Sequence, residues 1–208
     1  MIIGIDGYAG VGKDTVADLF VKVGFTKISF ADALREATVY STGFPLETFI
    51  DRDIKDKPFL EPLPMSSDVL TKFCDYLGYS DKVEEVVSKF TGLLINSPRH
   101  LLQILGTEVG RSCLNQSIWL NKYDEKRKYL SLVVTPDCRF SNERTHVQSS
   151  KGLVWLVKRE GIEPKGTHIS ELDKWKDSEY DIVIQNINLV QLRNDVGMWW
   201  SVKGSNLR

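Results

Sequence analysis

Residues 7 to 15 read Gly-Tyr-Ala-Gly-Val-Gly-Lys-Asp-Thr and follow directly on the apolar run Ile2-Ile3-Gly4-Ile5. No other stretch restricts the fold so strongly. The glycines let successive backbone N–H groups turn toward one anion, a helix behind them adds the positive end of its dipole, and Lys13 supplies a mobile cation. Gly7, Gly10, Val11, Gly12, Lys13, Asp14 and Thr15 outline a phosphate-binding loop, with Gly7, Gly12 and Lys13 at the required spacing. Glycines also make ordinary turns, so the context matters. Apolar residues at 16, 19, 20 and 23 have helical spacing, which gives the order strand, loop, helix. One position departs from the general pattern. Asp14 stands where Ser or Thr usually ligates Mg²⁺, with Thr15 one step later. A carboxylate is repelled by phosphate, so Asp14 is expected to point away or to meet the ion through water.

The order continues as a second strand over 25–30 and a helix over 31–40. Strands over 129–135, 153–158 and 180–185 and helices over 142–150 and 189–202 close the chain. Alternating strands and helices imply a parallel sheet with helices packed on it. Residues 41–97 contain no clear strand; charge-rich and proline-broken up to Pro64, they then carry helical patterns near 67–78 and 81–90. The expected organisation is one domain, with a core over 1–40 and 98–208 and an insertion over 41–97 placed to cover a second substrate. A polar stretch over 160–178, containing Gly166, His168, Ser170 and Glu171, reads either as a mobile lid or as a surface loop.

A formal net charge of −1 argues against duplex nucleic acid as the main partner, though a local cationic pocket remains open. No apolar run reaches the roughly 18 residues of a membrane span, and the amino terminus enters a strand without the regions of a signal peptide, so a cytoplasmic protein is expected. Cys74, Cys113 and Cys138 lack metal-ligand spacing and read as reduced structural thiols. The pair Trp199-Trp200 reads either as a buried helix face or as a homodimer contact.

A second ligand has its own set of residues. Ser97 caps and Pro98 opens a helix expected to reach Leu114. Winding it as an α-helix puts Arg99, Gln103, Gly106 and Gly110 in one stripe. Two glycines inside a helix cost roughly 1 kcal/mol each, so the bare stripe serves either a ligand or a closely packed helix. Arg99 could pair with a phosphate, Gln103 could present an amide to a base edge, Arg111 could add a phosphate contact, and Trp119 is either a stacking surface or core. Further on, the apolar run Leu132-Val133-Val134 leads to Asp137-Cys138-Arg139. Extended geometry would project Asp137 and Arg139 to one side, a carboxylate for a metal shell and a guanidinium for a phosphoryl group. The alternative is a salt bridge that orders the loop. Glu143 is expected to orient Arg139 or to cap its helix.

Together these motifs resemble the deoxynucleoside monophosphate kinases of tailed bacteriophages. The resemblance rests on Gly10-Val11-Gly12-Lys13-Asp14-Thr15, Arg99 with Leu102-Gln103 and Gly106-Thr107-Glu108, Arg111, Trp119, and Asp137 to Glu143. It extends to the charged Asp51 to Pro58 segment, His168 to Glu171 and Asp181 to Asn186. It implies an α/β fold of the P-loop NTPase type and transfer of the γ-phosphoryl group of ATP, with Mg²⁺, to a deoxynucleoside 5′-monophosphate. By that resemblance Gly10 to Thr15 would form the ATP phosphate site, Arg99, Gln103 and Arg111 would hold the monophosphate, and Asp137 with Arg139 would serve metal and phosphoryl group. Two other readings remain open from the residues alone. One is a P-loop kinase of another phosphorylated acceptor, of phosphomevalonate type; the other is an ATP-binding module without turnover.

Overall fold

The computed structural model describes residues 1–163 and 175–203. In chain order the elements are β1 (Ile2–Asp6), α1 (Lys13–Lys22), β2 (Thr26–Lys27), α2 (Asp32–Thr42), α3 (Glu47–Ile50), α4 (Arg52–Lys55), β3 (Leu63–Pro64), α5 (Ser67–Leu77) and α6 (Val83–Phe90). There follow β4 (Leu94–Ile95), α7 (Pro98–Gln103) continued by a π-helical stretch (Ile104–Leu114), α8 (Ile118–Arg127), β5 (Val133–Thr135), α9 (Ser141–Ser149), β6 (Leu153–Lys158), β7 (Ile182–Gln185) and α10 (Leu189–Lys203). The chain divides into two compact units, Met1–Phe30 with Asp124–Arg208, and Ala31–Tyr123.

The first unit is an α/β fold. Its five strands lie in the order β2-β5-β1-β6-β7 and every ladder is parallel. β1 is the central strand and all five of its residues are buried, as expected for a parallel strand covered on both faces. Strand alternation sends Ile3 and Ile5 to one face, where they join Val16, Phe20, Trp155, Leu192 and Val196 in a core with α1 and α10. The rings of Phe20, Trp155 and Trp199 meet edge to face at 5.1, 5.8 and 5.3 Å, and Trp200 meets Phe25 at 5.2 Å. The Trp199-Trp200 pair is thus engaged in this core. Ile2, Gly4 and Asp6 face α9, and a Cβ at Gly4 would lie 3.1 Å from Cys138 Sγ and 3.2 Å from Val147 Cγ2. The chain leaves β1 toward β2 and leaves β5 toward β6 on the other side of β1. The carboxyl end of β1 is therefore the switch point where open α/β sheets hold ligands.

The second unit is mainly helical, with a core of Leu34, Phe49, Leu70, Phe73, Leu77, Leu101, Leu105, Val109 and Trp119 among others. It takes in α2 and the chain from 98 to 123 and so is broader than the 41–97 insertion expected from composition. Periodicity identifies a helix but not the core it faces. Ser66 and Ser97 accept from Val69 N and His100 N at 3.2 and 3.1 Å, capping α5 and α7. A two-residue antiparallel pair, β3 with β4, also forms where no strand was expected.

The helix from Pro98 does not continue as an α-helix. Beyond Gln103 it widens to π geometry, in which bonds span five residues, as Asn115 N to Gly110 O does at 2.9 Å. The stripe drawn by α-helical winding is therefore displaced. Its glycines have packing partners: a Cβ on Gly106 would meet Leu34 Cδ2 at 2.7 Å, and one on Gly110 would meet Trp119 Cζ2 at 2.6 Å and Leu105 O at 2.9 Å. Gly110→Ala is expected to destabilise the protein by about 1–3 kcal/mol through overpacking, which outweighs the roughly 1 kcal/mol that alanine gains over glycine in a helix. Urea denaturation measures the difference, and a rise in midpoint would contradict the packing role.

Candidate active site

The glycine-rich loop occupies the switch point. Gly7, Gly10 and Gly12 have φ of 142°, 88° and 102°, backbone that only glycine adopts without strain. Gly7 has a second reason to lack a side chain, because its Cβ would strike Val157 O on the neighbouring strand. Lys13 begins α1 and is buried, its Nζ donating to Gly7 O at 2.6 Å and Tyr8 O at 2.8 Å. The cation is held over its own loop by carbonyl oxygens, the same kind of acceptor that phosphate presents. Val11 is buried, and its carbonyl accepts from Asn186 Nδ2 at 2.6 Å, which ties the loop to the chain after β7. Asp14 is exposed and turns outward, 4.0 Å from Lys27 Nζ. Thr15 is exposed in the first turn of α1.

Asp137 and Arg139 stand beside this loop. Cys138 N donates to Ile5 O at 3.2 Å, so the segment runs along the end of β1. β5 stops at Thr135 and Asp137 lies in a turn, which replaces the extended geometry expected from the sequence. Asp137 is buried and its Oδ1 accepts from Phe30 N at 2.9 Å. Cys138 is fully buried, and burial pushes its thiol pKa well up. Glu143 Oε2 accepts from Arg139 N at 2.8 Å and Phe140 N at 3.0 Å, so Glu143 both caps α9 and fixes the Arg139 backbone. The Arg139 guanidinium is half-buried and makes no hydrogen bond or ion pair with the described residues. No Asp137–Arg139 salt bridge is formed among them.

Three residues near the loop were not singled out from the sequence. Asp6, Arg144 and Tyr180 meet in the interior: Asp6 Oδ2 accepts from Arg144 Nη1 at 2.9 Å and from Tyr180 Oη at 2.6 Å, while Asp6 Oδ1 accepts from Gly7 N at 2.6 Å. The partners are 138 and 174 positions apart along the chain, and no local pattern signals such a meeting. Burial first, and the Asp6 charge second, push the Tyr180 phenol pKa far up, so it remains a donor. The lid expected over 160–178, with Gly166, His168, Ser170 and Glu171, falls largely outside the described residues.

Arg99, Gln103, Arg111 and Trp119 belong to the unit 31–123. Arg99 Nε donates to Asp56 Oδ1 at 2.5 Å, and this bond holds the Asp56 carboxyl pKa below the usual range. The Nη groups of Arg99 have no partner among the described residues, so Asp56 orients a guanidinium whose forked end stays open. Gln103 is half-buried and its amide is likewise unengaged there, whereas Arg111 is already engaged. Trp119 is 3% exposed, and its Nε1 donates to Gly106 O at 2.8 Å. Of the two readings open from the sequence, core and stacking surface, the structure has the core one, and its ring fills the space beside Gly110. Glu108 Oε2 is buried and has no hydrogen-bond donor among the described residues.

A family model described as Deoxynucleotide monophosphate kinase matches residues 57–196. A protein of Acanthamoeba polyphaga mimivirus assigned as a deoxynucleotide monophosphate kinase is 25% identical over 206 residues, 92% of this chain and 91% of that protein. The deoxynucleoside-5′-monophosphate kinase of Escherichia phage T5 is 30% identical over 176 residues, 69% of this chain and 70% of that protein. Among solved structures, TT1252 from Thermus thermophilus is 14% identical with a TM-score of 0.44, over 98% of this chain and 97% of its own. The matched span takes in Arg99, Gln103, Arg111, Asp137 and Arg139, and the chain belongs to the deoxynucleotide monophosphate kinase family.

Proposed function

We propose that the protein transfers the γ-phosphoryl group of ATP to the 5′-phosphate of a deoxynucleoside monophosphate, giving ADP and the deoxynucleoside diphosphate. The supply of precursors for DNA synthesis, in the cytoplasm of a host cell, is the role this reaction serves. The observation that carries the reading is the glycine loop at the end of the central strand, with Lys13 Nζ already bonded to the Gly7 and Tyr8 carbonyls. Phosphate oxygens offer that ammonium stronger acceptors than two peptide carbonyls. Gly7, Gly10, Val11, Gly12, Lys13, Asp14 and Thr15 form the ATP phosphate site in this reading, and Asp14 points outward.

Asp137 and the Thr15 hydroxyl are hard oxygen donors, few in number, and they suit Mg²⁺, which keeps several waters and takes phosphate oxygens as ligands. Thr15 and Asp137 would hold the ion directly or through water. When bound, Mg²⁺ neutralises charge on the β and γ phosphates. Arg139, unengaged and fixed through both backbone groups, meets the charge on the transferred group. Arg99, Gln103 and Arg111 hold the acceptor, Arg99 by its open fork on the 5′-phosphate and Gln103 at the base edge. The acceptor phosphate is already an anion, so no general base is assigned. Positioning and charge cancellation carry the reaction.

Product analysis tests the reading: ATP, Mg²⁺ and a deoxynucleoside monophosphate are expected to yield ADP and the diphosphate in equal amounts, whereas ADP without diphosphate would reduce the protein to an ATPase. For the acceptor side, Arg99→Ala is expected to raise the acceptor KM about tenfold or more while leaving the ATP KM near its original value. An equal rise in both would remove Arg99 from the acceptor site.

A further inference from the structure

We infer that Arg144 is a positioning residue for phosphoryl transfer: seated on Asp6 and Tyr180, it fixes the backbone of Arg139 against the first residue of the phosphate loop. The inference rests on the reading of Arg139 as the arginine that meets the transferred group. Asp6 ends β1 on the face toward α9 and, like Arg144, is fully buried. The Arg144 Nη1 that donates to Asp6 Oδ2 at 2.9 Å also donates to Arg139 O at 2.9 Å. Asp6, for its part, holds Gly7 N–H at 2.6 Å. One chain of bonds thus runs Gly7, Asp6, Arg144, Arg139, from the loop that cradles phosphate to the arginine beside it.

The remaining contacts remove freedom from the brace. The Arg144 guanidinium lies 5.1 Å from the centre of the Trp175 ring, and Trp175 Nε1 donates to Ser141 Oγ at 2.8 Å, which pins the ring to the start of α9. Tyr180 supplies a further donor to Asp6. A buried ion pair adds little net stability compared with apolar residues of the same volume, because both charges lose their hydration. What this pair gains is position, since its outer bonds end on the backbone of Gly7 and Arg139. A misplacement of about 1 Å at a reacting centre can cost on the order of 10²-fold in rate.

The test compares Arg144→Lys, Tyr180→Phe and Arg139→Ala with the full-length wild-type protein, reading kcat, both KM values and the melting temperature. Lysine keeps the charge but loses the planar fork and the stacking on Trp175. Arg144→Lys is expected to lower kcat about 10- to 100-fold with both KM values within about twofold, and Tyr180→Phe to lower it less, in the same pattern. If Arg144→Lys does not fold, Tyr180→Phe decides alone. Folded Arg144 and Tyr180 variants that keep wild-type kcat, or that lose only melting temperature, overturn the brace while Arg139→Ala is inactive. An Arg139→Ala protein with wild-type kcat overturns the reading beneath it, and the brace with it.

Discussion

Replacing Lys13 by alanine is expected to lower kcat by about 10²- to 10³-fold, the range seen when one preorganised donor is removed from a developing charge. The structural cost should be small by comparison. Lys13 Nζ is bonded to Gly7 O and Tyr8 O, so its loss leaves two carbonyls short of a donor, a penalty on the order of 1–3 kcal/mol. The loop keeps its other supports, which are the Asn186 bond to Val11 O, the Asp6 bond to Gly7 N, and the burial of Val11. A cooperative unfolding transition should therefore persist in a protein that no longer turns over. Coupled kinetics and a thermal melt on the same preparation separate the two effects. A folded Lys13→Ala protein with most of its activity would remove the ATP site from this loop.

The second large effect is expected at Arg139, where alanine should cost about 10³-fold or more in kcat, the lower end for an arginine that neutralises a phosphoryl transition state. This substitution is informative because little else changes. The guanidinium has no partner among the described residues, while the backbone is held by Glu143 and Arg144, neither of which needs the side chain. The melting temperature should stay close to that of the wild type. Asp137 gives a less direct test, since its carboxylate also accepts from Phe30 N, and a substitution there disturbs the chain after β2 as well as any metal. A large fall in stability for Arg139→Ala, with kcat per folded molecule unchanged, would assign Arg139 to structure.

The elements legible in the sequence are those whose pattern is local. β1, α1, β6, α9 and α10 follow from an apolar run or a helical period, and β6 has the expected bounds of Leu153–Lys158. α8 has no clear apolar stripe in the sequence, because only Ile118, Trp119 and Tyr123 are buried along it and, Leu120 apart, the rest is charged or polar. β5 is shorter than its apolar run suggests, and Tyr129, at its expected start, is 88% exposed beyond the end of α8. The π-helical stretch could not be read from spacing, because residue type does not tell π from α winding; Leu34 and Trp119, which lie against Gly106 and Gly110, are partners that no local pattern signals.

The site divides along the same line. The conformations of the glycines and the outward direction of Asp14 are set by neighbours in sequence and by backbone geometry, so they are the legible part. The Asp137 turn, the Asp56 bond that orients Arg99, and the Asp6–Arg144–Tyr180 cluster all depend on partners far away in the chain, where residue type alone gives no distance. Trp119 is a case where the sequence left two readings open. An aromatic residue near a ligand motif invites a stacking role, and only the filled space at Gly110 and the bond to Gly106 O show that it packs the core.

The most direct measurement is coupled ADP release with ATP and Mg²⁺, run separately with each deoxynucleoside monophosphate, each ribonucleoside monophosphate, and phosphomevalonate. The account predicts turnover with one or more deoxynucleoside monophosphates and none with phosphomevalonate. Turnover confined to phosphomevalonate, or tight ATP binding with no turnover on any acceptor, would contradict it.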